Sequence, residues 1–256
     1  MRIKVLGCSG GVGPGLRTTS LLLDDDVLID AGTGVGELAL DEQAAIRRVF
    51  LTHSHLDHVC GLAFLADNLF ERVSEPVAVH ASDETLQALR KHLFNWTLWP
   101  DFSVLPDETS PLLRWVPMAA ETSVDLGGQR LLTAFRVLHT VPAMGYAISG
   151  ARETFAFTGD CYADDGLWRF FNRLPRLDQL MIEVAFPNAE AGLGHASKHF
   201  TPDLLASELR KLEHRPRLYL THPKPGFERV IERECRTALR GWDHVHLKRG
   251  DTIRIG

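Results

Sequence analysis

Arg48-Val49-Phe50-Leu51-Thr52-His53-Ser54-His55-Leu56-Asp57-His58 is the stretch on which the reading of this chain turns. Its opening residues make a short apolar run of the kind that forms a buried strand. Three imidazoles and a carboxylate then fall within six positions, where such a strand gives way to a loop. His53 and His55 are two apart, so an extended or sharply turned backbone brings both rings to one ion. Asp57 and His58 are placed to reach a second.

A pair of ions needs more donors than this cluster holds. Further along, three strand-like runs end on ligand-type residues followed by turn chemistry. His139 closes Leu131-Leu132-Thr133-Ala134-Phe135-Arg136-Val137-Leu138, Asp160 closes Thr154-Phe155-Ala156-Phe157-Thr158-Gly159, and His222 closes Arg217-Leu218-Tyr219-Leu220-Thr221. Donors at strand ends fall on one rim of a sheet. A single strand-end histidine is ordinarily a hydrogen-bonded core residue, so it is the convergence with the first cluster that points to metal chemistry.

Together these residues resemble the metallo-β-lactamase superfamily, across nearly the whole chain. The resemblance implies an α/β (α+β) fold, a four-layer αββα sandwich with two metals at one edge. It implies His53, His55 and His139 on one metal, Asp57, His58 and His222 on the other, and Asp160 bridging both. A shared carboxylate is sound physics, since two nearby dications repel and need an anion between them. Asp30, which ends Val27-Leu28-Ile29, resembles the superfamily aspartate that orients a ligand imidazole.

At 256 residues and 45% hydrophobic composition, the chain can bury a good core, and residues 1–256 are expected to form one domain. A net charge of −5 argues against a general polyanion binder. Residues 1–6 lack an apolar core of signal length and no run approaches a membrane span. Cys8, Cys60, Cys161 and Cys235 show no CxxC pairing, and a reduced cytoplasmic protein is expected. The glycines of 7–15 lack the Gly-Lys-Ser/Thr ending of a phosphate loop and read as a turn beside the rim.

Around these motifs, Ser20–Leu23 and 27–30 flank Asp24-Asp25-Asp26 as a hairpin, and helices are expected over 37–46 and 61–70. Residues 76–80 read as a strand. Ser82-Asp83-Glu84 is a helix start, with Leu86, Leu89, Leu93 and Phe94 on one apolar face. Thr201-Pro202 starts another helix, buried through Leu204, Leu205, Leu209 and Leu212, and 227–239 carries a last one before the closing strands 245–247 and 252–255. His80 and His92 read as structural.

Three segments narrow the resemblance to the class II 3′,5′-cyclic-nucleotide phosphodiesterases: Phe94-Asn95 with Trp99-Pro100, Glu183-Val184-Ala185-Phe186-Pro187-Asn188, and Thr221-His222-Pro223-Lys224-Pro225. The aromatic segment either stacks a purine base or closes the core, and Phe94, Asn95 and Trp99 are carried as substrate contacts. One segment departs. The family's Gly-His-Leu-Thr-Pro is spread here over Gly194-His195-Ala196-Ser197-Lys198-His199-Phe200-Thr201-Pro202, and the helix start at Thr201 favours His199 over His195 as the equivalent histidine.

The implied reaction converts cyclic AMP or GMP to the 5′-monophosphate by attack of a hydroxide shared between the metals, with Asp57 among the catalytic groups. His199 would protonate the departing ribose oxygen and Glu183 would hold its imidazole. Five histidines and two aspartates suit two zinc ions, with manganese or iron also admitted. The expected partner is the small cyclic nucleotide, with no nucleic-acid polymer and no membrane; a homodimer is compatible with the sequence. The alternatives are a nuclease of the RNA 3′-processing, tRNase Z-like kind and a nucleotide-sensing domain without turnover.

Overall fold

A computed structural model describes residues 1–256. The first half of the chain contributes β1 (Arg2–Gly7), β2 (Ser20–Leu23), β3 (Val27–Ala31), β4 (Arg48–Phe50), β5 (Val77–Ala81) and β6 (Leu113–Pro117). The second contributes β7 (Ser123–Gly127), β8 (Arg130–Val137), β9 (Ala143–Ser149), β10 (Thr154–Phe157), β11 (Gln179–Glu183), β12 (Arg217–Thr221) and β13 (His244–His246), and β14 (Thr252–Arg254) returns to the first half. The helices are α1 (Leu40–Ala45), α2 (Leu56–Leu69), α3 (Asp83–His92), α4 (Asp165–Arg173), α5 (Ala191–Ser197), α6 (Pro202–Glu208) and α7 (Glu228–Ala238).

Two seven-stranded sheets result, ordered β14-β1-β2-β3-β4-β5-β6 and β13-β12-β11-β10-β9-β8-β7. The period-2 alternation of the strands decides what lies between them. Leu218 and Leu220 face helices, whereas Tyr219 faces the other sheet. Ile29 and Phe50 of one sheet share an inner apolar layer with Tyr146, Phe155 and Phe157 of the other. α2 and α3 cover the outer face of the first sheet through Leu62, Leu65, Ala66, Leu86 and Leu89. α4, α6 and α7 cover the second through Leu167, Trp168, Phe171, Leu205, Ile231 and Cys235. The layers therefore run helix, sheet, sheet, helix, as the resemblance implies, with each fully buried Leu or Phe stabilising by roughly 1.5–3 kcal/mol.

Strand direction places the site. β10 pairs in parallel with β11, and β11 with β12, while β9 is antiparallel to both β8 and β10. The C-terminal ends of β8, β10, β11 and β12 consequently open on the same rim. β3 and β4 are parallel in the facing sheet. The sheets are tied at that rim: Met144 N donates to Thr52 O at 3.0 Å, and Tyr146 Oη to Leu51 O at 2.6 Å.

Several elements differ from the sequence expectation. The helix expected over 61–70 begins five residues earlier, at Leu56, because its first turn carries polar residues that hide the apolar period; its buried face is His58, Val59, Leu62, Leu65, Ala66 and Leu69. The helix expected over 37–46 splits into a 3-10 turn, Thr33–Glu37, and α1, whose start is fixed by Glu42 Oε2 accepting from Ala39 N at 2.9 Å. Ser82 caps α3 as predicted, its Oγ accepting from Thr85 N. The chain's four cysteines are all free thiols, and no helix is long and apolar enough to cross a membrane.

Candidate metal centre

The loop after β4 carries His53 and His55, and α2 starts on the next residue, so Asp57 and His58 ride its first turn. From the facing sheet, His139 follows β8, Asp160 follows β10, and His222 follows β12 directly. These side chains meet in two groups, His53 with His55, His139 and Asp160, and Asp57 with His58, Asp160 and His222. In each group the candidate ligand atoms lie within 4.8 Å of one another. Asp160 is common to both and divides its oxygens between them. Its Oδ2 lies 3.8 Å from His53 Nε2 and 4.0 Å from His139 Nε2, and its Oδ1 lies 3.3 Å from His58 Nε2 and 3.2 Å from His222 Nδ1.

Burial sets the charge state of these groups. It pushes the His53 and His222 imidazoles well below their ordinary range and the His139 imidazole down to about 4, leaving neutral rings with free lone pairs. His55 is lowered for the same reason. At His58 burial acts in that direction too, but the Asp160 and Asp30 carboxylates outweigh it and raise the value. Burial alone would raise the Asp160 value, but the imidazoles gathered around it hold its carboxyl well below the usual carboxylate range.

The ring orientations are fixed from behind. His58 Nδ1 is 2.7 Å from Asp30 Oδ2, and Asp30 also accepts from Thr52 N and Thr52 Oγ1. His53 Nδ1 meets Thr52 Oγ1 at 2.9 Å, and His139 Nδ1 donates to the Lys198 carbonyl at 3.1 Å. The supporting roles of Thr52 and Lys198 carry no sequence signal; Lys198 presents its carbonyl from a left-handed backbone, φ 59. Asp30 (φ 55) and His222 (φ 62) are left-handed as well, a strain that persists only where surrounding contacts hold it. The glycine turn of 7–15 does this for His222. His222 N donates to Cys8 O at 2.7 Å, Gly10 N donates to Pro223 O at 3.0 Å, and a Cβ on Gly10 would lie 2.7 Å from the His222 carbonyl oxygen.

Beside the clusters, His199 Nδ1 lies 2.7 Å from Glu183 Oε1, with Glu183 fully buried at the end of β11. Glu183 also accepts from Cys161 N and Phe200 N. Burial alone would lower the His199 value, but the Glu183 charge and hydrogen bond raise it. The His199 ring stands 5.1 Å from that of His139 and 5.4 Å from that of His222, centroid to centroid. His195 is exposed on α5, its Nδ1 3.1 Å from Tyr162 Oη.

Of the three substrate contacts carried from the aromatic segment, Phe94 requires a correction. Phe94 is 1% exposed and packs on Trp115, so its ring has no face left for a base; it closes the core. Asn95 spends its amide on its own turn, accepting from Thr97 N and Leu98 N and donating to Lys91 O. Trp99 packs edge-on against Phe64 of α2. His80 stacks on Phe50 in the core and His92 ends α3, both outside the clusters.

The donors fit a pair of divalent ions. His53 Nε2 and His58 Nε2 are buried, face Asp160 and make no hydrogen bond, an arrangement that is costly unless a further group engages them. Imidazoles around an ionised carboxylate are the donor set such ions use, and binding an ion would displace the His58 proton.

The chain belongs to the metallo-β-lactamase superfamily: the family described as "Beta-lactamase superfamily domain" matches residues 25–223. It is 29% identical to a protein of Yersinia pestis named "Probable 3′,5′-cyclic-nucleotide phosphodiesterase", over 88% of this chain and 79% of that one. A "Ribonuclease Z" of Pyrococcus abyssi is 31% identical over 47% of this chain and 37% of its own. The fold superposes on unliganded yeast PDE1 with a TM-score of 0.82 at 17% identity, covering 98% of each chain.

Proposed function

We propose that this protein is a metal-dependent phosphodiesterase that opens 3′,5′-cyclic nucleotides to 5′-monophosphates. The observation that carries the reading is the His199–Glu183 pair standing beside two ligand clusters that share Asp160. The near full-length likeness to the Yersinia pestis protein supports the substrate class. In this reading His53, His55, His139 and Asp160 hold one ion and Asp57, His58, Asp160 and His222 the other, with zinc the metal that the donor set suits best. Ions held there polarise phosphoryl oxygens and lower the pKa of water toward neutrality.

The chain's own residues then have separate tasks. Asp160 holds negative charge between the clusters, and Asp30, Thr52 and the Lys198 carbonyl keep the rings aimed inward. His199 binds Glu183 through Nδ1, which leaves Nε2 to carry a proton. When the P–O3′ bond breaks, Nε2 gives that proton to the departing oxygen, and Glu183 stabilises the imidazolium beforehand. An alkoxide leaves poorly without it.

Partial-length likeness to ribonuclease Z supports a second reading, cleavage of RNA 3′ ends. Assays of the metal-loaded protein on cyclic AMP, cyclic GMP, a precursor tRNA and bis(p-nitrophenyl) phosphate separate the two. Hydrolysis of a cyclic nucleotide but not the tRNA is expected; cleavage of the tRNA alone overturns the cyclic-nucleotide reading.

A further inference from the structure

Lys224 is used by neither the ligand clusters nor the His199–Glu183 pair, yet it stands against them. Its Nζ lies 3.1 Å from His222 Nε2 and 3.1 Å from the Gly10 carbonyl. It is half-buried, and no carboxylate lies within ion-pair distance of it; its polar contacts are a carbonyl and an imidazole. An ammonium so placed, next to a site that gathers dications, is in an unfavourable field unless an anion joins it.

The backbone holds this charge in place. Lys224 sits between Pro223 and Pro225, whose rings fix φ. Lys224 N donates to Ala185 O at 3.0 Å, and its own carbonyl accepts from Phe227 N at 3.0 Å. On the other side, a Cβ on Gly10 would come within 2.9 Å of Lys224 Cδ, and one on Gly11 within 2.9 Å of the Pro225 ring, so the two glycines make room for the segment. Lys224 Nζ meets the His222 ring, and that ring stacks on the His199 ring at 5.4 Å between centroids, which places the ammonium on the side of the clusters where the proton donor stands.

We propose that Lys224 is a phosphate-binding residue, whose ammonium donates to a phosphoryl oxygen of the group bound between the clusters and His199. The inference rests on the phosphodiesterase reading for its substrate, but its chemistry asks only for a phosphate. A rigidly held cation of this kind stabilises charge that grows on the phosphoryl oxygens without having to reorganise.

The test uses the metal-loaded protein and inorganic phosphate as the probe. Calorimetry on wild type, K224M and K224R, with metal content measured in each, reads binding without turnover. K224M is expected to keep its metals and lose phosphate affinity about 10- to 100-fold, the range of a charge-assisted hydrogen bond, and K224R to regain most of it. Wild-type phosphate affinity in K224M overturns the assignment. Loss of metal in parallel with loss of phosphate overturns it too, since that is what a purely structural contact to Gly10 and His222 would give. A protein that bound phosphate through Lys224 but opened no cyclic nucleotide would retire the phosphodiesterase reading and leave this one standing.

Discussion

His58 Nδ1 and Asp30 Oδ2 are 2.7 Å apart and both side chains are wholly buried, so the face that His58 turns to the cluster is chosen by a carboxylate behind it. Asp30→Asn keeps the shape and removes the charge. Metal affinity is expected to fall about 10- to 100-fold, as for other carboxylates behind a ligand histidine. Competition with a chelator measures it, and an unchanged affinity would remove Asp30 from that role.

Asp160→Ala removes the one side chain common to both clusters. Both ions are expected to be lost or greatly weakened together, while substitution of His55 or Asp57 should weigh mainly on one. Elemental analysis of dialysed protein decides the matter, and two tightly held ions in the Asp160 variant would contradict a bridging role.

His199→Ala should spare metal content and slow cyclic-nucleotide hydrolysis by roughly 10²- to 10⁴-fold. On bis(p-nitrophenyl) phosphate, whose leaving group needs no proton, the loss should be far smaller. Equal losses on both substrates would mean that His199 does something other than protonate a leaving oxygen.

Gly159 delivers Asp160 through a left-handed turn at φ 62, and a Cβ there would lie 2.9 Å from Thr52 Cβ. Gly159→Ala therefore meets both backbone strain and a clash against the residue that orients His53 and binds Asp30. A loss of about 1–3 kcal/mol in urea unfolding is expected.

Far from the centre, Arg130 joins the β7–β8 turn to the β2–β3 hairpin, its Nη1 2.7 Å from Asp26 Oδ1 and 3.0 Å from Asp24 Oδ2. The Arg130 hydrogen bond holds the Asp26 carboxyl below its ordinary range, against a smaller effect of burial. Because the folded value is depressed, the pair stabilises the protein above the unfolded carboxylate value of about 3.9 and loses that contribution as pH falls through the folded value. Asp26→Asn should be less stable by about 1 kcal/mol at pH 7, with the gap to wild type closing in acid. Thermal melts of both proteins across pH 2–7, roughly the span of that titration, test the sign.

What the sequence revealed of this architecture follows from where its signals are local. His53, His55, Asp57 and His58 interrupt an apolar run, and His139, Asp160 and His222 each stop a strand, so polarity and chain direction together predict their meeting on one rim. β9 gives no such signal, because Ala143–Ser149 is buried through nearly its whole length and shows no alternation. α4 buries Leu167, Trp168, Phe170 and Phe171, but no side-chain cap at Asp164 marks where it starts. Aromatic density at Phe94 predicts a ring but not which side of the surface it lies on. The carbonyl of Lys198 and the hydroxyl of Thr52 act through backbone geometry and contacts that only the folded chain creates.

The bond from Met144 N to Thr52 O spans the two sheets directly beneath the histidines, and the donors themselves are divided between those sheets. Neither half of the sandwich can retain an ion alone. Ion occupancy and melting of the entire molecule should therefore form one linked equilibrium, in which the melting temperature climbs with free ion concentration and a chelator lowers it without producing a half-unfolded species.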